Sequence, residues 1–186
     1  MKSLGLSYSF INRSWNKTEH SLPTFRYVEI GAVDPLFGII EAKEIETKKA
    51  PSRATQVIKT GDLLIATTRP YLKKFVIVPP QFDGCICSSG FSVIEPSAEY
   101  NLYFLKEFLM CSYGIEQLKS KMTGALYPAI TEGELKDVKI PFPDVDIQNE
   151  IMEMVNSKRQ EIINAKEQAD MLKAEANKIF EQAIFQ

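Results

Sequence analysis

Hydrophobic residues in the first three quarters of the chain fall into short runs separated by turn residues. The bulky runs occupy positions 27–30, 63–66, 75–78, 85–87, 91–94 and 138–140. Glycine, proline and serine residues bound most of them, as at Gly61-Asp62, Pro79-Pro80 and Ser88-Ser89-Gly90. Runs of three or four bulky residues that end at such signals are typical of strands. This pattern predicts a mixed or antiparallel sheet.

The hydrophobic period changes to that of a helix over residues 101–122. Apolar side chains recur there three and four positions apart, at Leu102, Leu105, Phe108, Leu109, Ile115, Leu118 and Met122. Asn101 is suited to cap the amino terminus of this helix and Gly124 to stop it. The run 138–140 then leads into Pro141-Phe142-Pro143, whose prolines mark a rigid boundary.

From about residue 146 to the carboxyl terminus the chain contains no glycine or proline and follows a heptad pattern. We call ten of its positions the heptad seam: Val155, Ile162, Ala169, Ala176 and Ala183, with the companion positions Ile151, Lys158, Ala165, Leu172 and Ile179. All of them except Lys158 are apolar, which predicts a long helix that packs against another helix. At about 1.5 Å per residue it would reach roughly 60 Å, more than the preceding domain could cover. A partner helix from a second copy or another subunit is expected, and packing on its own domain is the alternative.

Length and composition fit one domain with an appended element. The chain has 186 residues, of which 45% are hydrophobic and 25% charged, as in a globular protein. We therefore predict a domain over 1–143 and a spacer or dimerisation helix over 144–186. The sequence contains no apolar run of 18 residues and no hydrophobic signal core near Met1, so we expect no membrane association and a cytoplasmic location.

The cysteines favour free buried thiols over a metal site. Cys85, Cys87 and Cys111 lie in apolar surroundings, and the spacing of the first two places both on one face of a strand. A zinc site would need two more ligands, and the one histidine, His20, is distant in sequence. We therefore expect no metal and no cofactor.

Charge is distributed unevenly although the net charge is only −2. Residues 1–143 carry 17 Lys and Arg against 15 Asp and Glu, whereas residues 144–186 carry 5 against 9. Between positions 48 and 74 a single acid, Asp62, accompanies seven basic residues: Lys48, Lys49, Arg53, Lys59, Arg69, Lys73 and Lys74. A local basic patch matters more to a polyanion than the total charge does. A solvated rim of lysines is the alternative interpretation.

Signatures of catalysis are weak. The chain has no glycine-rich phosphate loop, and a nucleophilic triad would have to use His20 in a polar stretch. Asp34, Glu46 and Lys48 could form a small Mg²⁺ nuclease site, because two carboxylates and a lysine can hold the ion and orient a water. The same Glu-x-Lys spacing recurs at 41–43 and 134–136, however, as chance predicts in a chain rich in both residues.

Residues 65–74 suggest binding chemistry instead, because a buried strand leads into two hydroxyls, a guanidinium, an aromatic ring and two ammonium groups. Arg69 could contact guanine O6 and N7, and Thr67 and Thr68 could contact base edges or phosphates. Lys73 and Lys74 suit phosphates. The alternative is structural, with Tyr71 in the core and Arg69 paired with a carboxylate such as Asp62.

An ordered set of short motifs resembles a known family. The segments are 27–31, 61–64, 69–74, 88–91, 124–130, 140–143 and 148–151, the last four reading SSGF, GALYPAI, IPFP and QNEI. Together they resemble the specificity subunit of type I restriction-modification enzymes over nearly the whole chain. The resemblance implies an α/β (α+β) target-recognition domain with a mixed β-sheet, followed by a long α-helix that forms an antiparallel coiled coil with a partner.

The resemblance also implies a function. A full subunit of that family has two recognition domains, each for one half of a split site on double-stranded DNA, and two spacer helices. It docks modification methyltransferase subunits and, through them, restriction subunits. This chain resembles half of such a subunit, so we expect a non-catalytic specificity subunit that forms a homodimer through its helix. An interaction or anti-restriction protein that occupies the methyltransferase without binding DNA is the alternative, beside the nuclease.

The candidate residues follow from charge and resemblance together. For DNA they are Thr67, Thr68, Arg69, Tyr71, Lys73, Lys74, Lys48, Lys49, Arg53, Ser88, Ser89 and Lys121. For the partner helix they are Ile151, Val155, Ile162, Ala165, Ala169, Leu172, Ala176 and Ile179.

Overall fold

The computed structural model describes residues 1–19, 21–124 and 126–184, apart from the side chain of Ile163. His20, which the zinc and triad hypotheses required, lies outside the described residues. The chain divides into two compact units, Met1–Val145 and a second that begins at Asp146. Within the described ranges, no helix is both long enough and apolar enough to cross a membrane.

Two four-stranded sheets form the centre of the first unit. In chain order the strands are β1 Lys2–Ser3, β2 Phe10–Ile11, β3 Thr24–Val28, β4 Val33–Asp34, β5 Gly38–Ile39, β6 Lys43–Glu46, β7 Ala54–Val57, β8 Leu63–Ala66, β9 Phe75–Ile77, β10 Ile86–Ser88, β11 Phe91–Ile94 and β12 Lys139–Ile140. One sheet has the order β6-β3-β10-β7 and the other β2-β11-β8-β9. The β3–β10 pair is parallel and the other pairs are antiparallel, so the first sheet is mixed.

The second sheet is buried on both faces, which explains its continuous apolar strands. Leu63 and Ile65 of β8 face one cluster of buried residues, and Leu64 and Ala66 face another. The second cluster also contains Cys87 of β10, so it fills the space between the two sheets. A third cluster, around Phe25, covers part of the first sheet.

Helices cover the other face of the second sheet. They are α1 Leu4–Ser7, α2 Leu102–Met110, α3 Ser112–Ser120 and α4 Glu132–Lys136. Asn101 caps α2 as predicted, because its side-chain oxygen accepts hydrogen bonds from the backbone N–H groups of Tyr103 and Phe104. The single helix predicted over 101–122 is wrong, since the chain breaks at Cys111, where the backbone is extended. Gly124 lies four residues beyond the end of α3 and does not stop it.

The last helix, α5 Val145–Ile184, forms the second unit from Asp146 onward. Every described side chain from Asn156 to Ile184 is exposed, including the large apolar seam residues Ile162 and Leu172. The mixed-sheet domain and the long helix confirm the predicted fold class. The antiparallel partner of the helix remains an expectation.

The strand predictions were accurate in the core and incomplete elsewhere. The runs 63–66 and 91–94 are confirmed to the residue as β8 and β11. Cys85 and Cys87 are buried in one cluster, as expected, but the prediction that Cys111 is buried is wrong, because this thiol is exposed between α2 and α3. No apolar run indicated β6 or β7.

Candidate nucleic-acid interface

Four loop segments of the first unit meet at one border, which we call the loop edge: residue 53 and segments 67–69, 88–90 and 126–129. Backbone hydrogen bonds join them in sequence. The N–H of Ser89 donates to the carbonyl of Arg53 at 2.7 Å, and the N–H of Thr67 donates to the carbonyl of Gly90 at 2.9 Å. The N–H of Arg69 donates to the carbonyl of Pro128 at 2.7 Å. The loop edge is therefore fixed by the sheets and by its own backbone.

Arg69 is held at the loop edge in an unusual conformation. Its φ of 49° lies in the left-handed region, which a residue with a side chain rarely adopts. Its guanidinium donates to the carbonyl of Leu126 at 3.3 Å, and its Cζ lies 5.7 Å from the centre of the Tyr127 ring. The backbone therefore places an exposed cation at the loop edge, and one of the five N–H donors of its guanidinium is used in the hydrogen bond to Leu126.

A turn of 3₁₀ helix, Pro70–Leu72, separates Arg69 from a second strained basic residue, Lys73, with φ 55°. Lys74 then reaches back, and its Nζ donates to the carbonyls of Ile30 at 3.1 Å and Gly31 at 3.4 Å. Lys74 is partly buried, and its ammonium is already engaged in these hydrogen bonds within the chain. Tyr71 is 36% exposed. The alternative that placed Tyr71 in the core is wrong.

The other proposed partner in that structural alternative, Asp62, belongs to a different ion pair. Asp62 is fully buried, and its carboxylate accepts hydrogen bonds from both terminal nitrogens of the Arg13 guanidinium. The Nη2–Oδ1 distance is 3.1 Å. The backbone N–H of Lys59 also donates to it. Asp62 therefore anchors the amino-terminal segment to β8, and the suggested pairing of Arg69 with Asp62 is wrong.

The hydroxyl-bearing candidates differ in access. The Thr67 hydroxyl donates to the carbonyl of Gly90 at 3.0 Å and is partly exposed, as is Thr68. Ser89 is exposed at the turn between β10 and β11. Ser88 is 3% exposed, and its hydroxyl oxygen accepts a hydrogen bond from the N–H of Gly90. This hydroxyl therefore stabilises the turn between β10 and β11.

The basic residues of segment 48–74 do not form one patch. Arg53 lies at the loop edge, but Lys48 and Lys49 follow Glu46, which pairs with Thr24 at the far end of β3. The parallel register of β3 and β10 puts that end away from Ser88. The Lys49 ammonium also pairs with Glu46 at 2.8 Å. Sequence proximity therefore overestimated the local charge density.

Lys121 lies just after α3, at the start of the segment that leads to the loop edge. It is partly buried and close to Glu134. The backbone N–H and the hydroxyl of Thr131 hold the pKa of the Glu134 carboxyl below its usual range, and the charge of Lys121 adds to this effect. Thr131 and Glu134 form a capping box that begins α4.

The most exposed apolar residues of the loop edge, Leu126 and Tyr127, belong to a motif that carries the family resemblance, and the sequence did not predict that they contribute to a binding site. Leu126 is 81% exposed and Tyr127 is 74% exposed. Spacing gave no signal for them, because Leu-Tyr followed by Pro128 resembles another buried run. Their position beside Arg69 becomes visible only when segment 126–129 is folded against segment 67–69.

The residues of the nuclease hypothesis serve local roles. The Asp34 carboxylate accepts hydrogen bonds from the N–H groups of Leu36 at 2.7 Å and Phe37 at 2.9 Å, which hold its pKa below the usual range. Glu46 is paired with Lys49. Among the described residues, no group of three or more His, Cys, Asp and Glu could hold a metal ion.

Comparison with known proteins points to one family. The family model described as "Type I restriction modification DNA specificity domain" matches residues 9–171 of the chain. The "Type I restriction enzyme HindI specificity subunit" of Haemophilus influenzae is 29% identical over 111 residues, which are 58% of this chain and 24% of that protein.

Solved structures show the same similarity in three dimensions. The HsdS subunit from Thermoanaerobacter tengcongensis matches with a TM-score of 0.76 and 35% identity, over 88% of this chain and 43% of that one. A chain from a structure of complex assembly and conformational transition in the type I R-M system matches with a TM-score of 0.78 and 36% identity, over 95% of this chain and 45% of that one. The chain thus spans less than half the length of each of these relatives.

Proposed function

The chain belongs to the family of type I restriction modification DNA specificity domains, and from that membership we propose that it recognises one half of a split DNA sequence. Recognition occurs at the loop edge. Arg69, with Thr67 or Thr68, contacts base edges, while Arg53, Lys73 and the exposed Ser89 contact the backbone. Lys74 and Lys121 flank this surface. Lys48 and Lys49 lie outside it, at the far end of β3, and in this proposal contact phosphates away from the half-site. The chain itself performs no bond chemistry.

The observation that supports this most strongly is the conformation of Arg69. Left-handed backbone at a residue with a side chain costs about 1–2 kcal/mol, and such strain concentrates at functional sites. The exposed guanidinium is held by one hydrogen bond to the Leu126 carbonyl and lies beside the Tyr127 ring, which restricts its rotamers before binding. A planar fork held in this way suits the O6 and N7 atoms of guanine.

The helix α5 provides the assembly surface in this proposal. Its exposed heptad seam pairs with the same seam of a second copy, and the pair docks methyltransferase subunits and, through them, restriction subunits in the cytoplasm. A two-fold pair would present two identical loop edges. By symmetry it would recognise an inverted repeat with a fixed gap.

Substitution of Arg69 tests the recognition step. The chain, assembled with its methyltransferase subunit, is used to select duplexes from a random library, and affinity is then measured for selected and scrambled duplexes. Arg69→Ala is expected to weaken binding of the selected duplex about 10- to 100-fold and to relax one position of the sequence. Binding of the scrambled duplex should change little.

Arg26→Ala is the matched control. Arg26 also donates to one backbone carbonyl, that of Gln81 at 2.7 Å, and its Cζ lies 5.4 Å from the ring centre of Phe82. It lies on β3, outside the loop edge. Equal affinities for Arg69→Ala and the unsubstituted protein would contradict the assignment. A complex that binds the methyltransferase but no duplex would favour the anti-restriction alternative, and Mg²⁺-dependent cleavage by the chain alone would favour the nuclease.

A further inference from the structure

The loop edge carries an apolar tip that the proposed contacts do not use. Leu126 and Tyr127 are adjacent in sequence and largely exposed. The ends of their segment are fixed, because the N–H groups of Thr123 and Ala129 each donate to the other's carbonyl at 3.0 Å. Gly124, with φ 91°, allows the reversal between them. The large apolar groups of Leu126 and Tyr127 face water and do not contribute to the core, and such exposure marks binding surfaces.

Arg69 joins this tip to the polar part of the loop edge. Its side chain donates to the carbonyl of Leu126 and stacks toward Tyr127, and its backbone N–H donates to Pro128. The bridge between Thr68 and Ala129 ties the same two segments together. The guanidinium of Arg69 therefore lies beside the backbone of Leu126 and the ring of Tyr127. A duplex that contacts Arg69 would therefore approach the exposed residues Leu126 and Tyr127 as well.

We propose that Leu126 and Tyr127 form a wedge that opens one base step of the duplex beside the base contacted by Arg69. This rests on the proposed function. Apolar side chains inserted at a base step unstack it and bend the duplex, and pyrimidine–purine steps are the easiest to open. The recognised half-site therefore contains such a step next to the base that Arg69 contacts. Selectivity there comes from deformability and not from hydrogen bonds.

The neighbouring charge favours DNA over a protein as the ligand of this tip. Arg69, Arg53 and Lys73 lie along the same edge or next to it, and within the part of the chain that the structure describes none of them forms an ion pair with a carboxylate. A surface that combines unneutralised cations with apolar groups suits a ligand with phosphates outside and stacked bases inside.

The test uses the chain assembled with its methyltransferase subunit and a duplex selected from a random library, with 2-aminopurine placed at each position in turn. Aminopurine fluorescence rises when the base is unstacked. The unsubstituted complex should raise it at one step. Leu126→Ala and Tyr127→Ala should each abolish that rise and weaken binding of the selected duplex about tenfold. The dependence of affinity on salt should stay the same, because no phosphate contact is removed.

Tyr103→Ala is the control, since it removes a tyrosine 54% exposed on α2 and should change neither readout. Leu126→Asn keeps the size of the side chain, removes its apolar surface, and should behave like Leu126→Ala. Unchanged fluorescence and affinity in these variants, while Arg69→Ala still weakens binding, would overturn the wedge and leave the proposed function in place. Variants that lose the methyltransferase subunit but keep the aminopurine signal would show a protein-docking tip and also overturn it.

Discussion

At the scale of single residues, two basic side chains stand on left-handed backbone, Arg69 and Lys73, and they flank one 3₁₀ turn. Glycine would adopt this conformation without steric cost. A basic side chain at each of these positions therefore lowers the free energy of unfolding relative to glycine, and it fixes the position of a positive charge at the turn. The sequence predicted Arg69 and Lys73 as ligand contacts from charge and chemistry, but not their strain, because φ at a non-glycine residue is decided by contacts such as the one with Pro128.

Replacement of Arg69 by glycine and by alanine separates backbone strain from side-chain function. Arg69→Gly should have a free energy of unfolding about 1 kcal/mol higher than Arg69→Ala, because only alanine retains the left-handed cost. Both should lose selected-duplex binding equally. Chemical denaturation of the two variants measures the difference. The same pair at Arg26, on a strand, should show the opposite order, and an advantage of alanine at position 69 would contradict the strain.

The three cysteines should react in two classes. Cys111 is exposed, whereas Cys85 and Cys87 are buried, and burial raises the pKa of Cys85 and raises that of Cys87 to about 12. Titration of the native protein with a maleimide at pH 7.5 should label one thiol rapidly, and unfolding should release the other two. Cys111→Ala should leave no rapid thiol. Rapid labelling of more than one thiol in the native protein would contradict this burial.

Stability should decline in alkaline solution for the same reason. The Cys87 thiol stays protonated in the folded protein, but in the unfolded chain it ionises near its ordinary value of 9.0. The unfolded state therefore gains from deprotonation first, and the free energy of unfolding falls as pH rises from about 9 toward 12. Denaturation at pH 8 and pH 10.5 measures the fall. Cys87→Ser should reduce it, and an identical fall in the variant would exclude Cys87 as a cause.

At the scale of elements, burial decides which strands and helices the sequence reveals. The strands β8 and β11 are buried along their whole length, so the apolar run in the sequence begins and ends at the same residues as the strand. The strand β6 reads Lys-Glu-Ile-Glu at a sheet edge, and β7 reads Ala-Thr-Gln-Val at the other edge, so neither shows an apolar run. The helical period of 101–122 survives the break at Cys111, because α2 and α3 pack on the same core.

Gly114 makes the junction of α2 and α3 possible, and Gly114→Ala should destabilise the protein. A Cβ there would lie 2.2 Å from the Phe108 carbonyl oxygen and 2.8 Å from the Leu109 Cα, both backbone atoms that cannot turn aside. The expected cost is about 1–3 kcal/mol, as for overpacking in a core. Thermal and denaturant unfolding of the purified variant measure it.

Gly133→Ala is the control for that substitution. Gly133 lies in α4, and a Cβ there meets only the Thr131 hydroxyl oxygen at 3.8 Å. Alanine favours helix over glycine by about 1 kcal/mol, so this variant should be as stable as the unsubstituted protein or more so. Equal destabilisation by both substitutions would show that the close approach at Gly114 is not the cause.

At the scale of the whole molecule, the feature predicted best was the fold class, a mixed-sheet domain followed by a long helix, because heptad periodicity is local. What the sequence could not place was the loop edge, because residue 53 and segment 126–129 are more than 70 positions apart in the chain. Its segments are joined by backbone hydrogen bonds and by the side chains of Thr67 and Arg69. The proposed function gives both parts a common purpose. In that proposal the helix carries the loop edge at a fixed distance from a second half-site, and the helix pairs with a partner.

The flanks of the heptad seam determine how this partner pairing responds to salt. One flank of α5 carries Arg159, Lys166 and Lys173, each following a companion seam residue, and the other carries Glu161 and Glu175. In an antiparallel pair of identical helices, each flank lies against the same flank of the other helix. The basic flank of one helix therefore lies against the basic flank of its partner. Each such pair costs about 0.2–0.5 kcal/mol at low salt.

Self-association of the full chain should therefore strengthen as salt rises from 50 to 500 mM, because screening removes this repulsion, whereas duplex binding should weaken. Sedimentation equilibrium measures self-association and fluorescence anisotropy measures duplex binding.

A Lys166→Glu, Lys173→Glu variant supplies the control for general salting-out, since mixing it with the unsubstituted chain turns two repulsive pairings into attractive ones. Mixed dimers should predominate at 50 mM salt and approach statistical proportions at 500 mM. A preference for unmixed dimers at low salt would contradict antiparallel pairing, and a chain that stays monomeric throughout would contradict the homodimer.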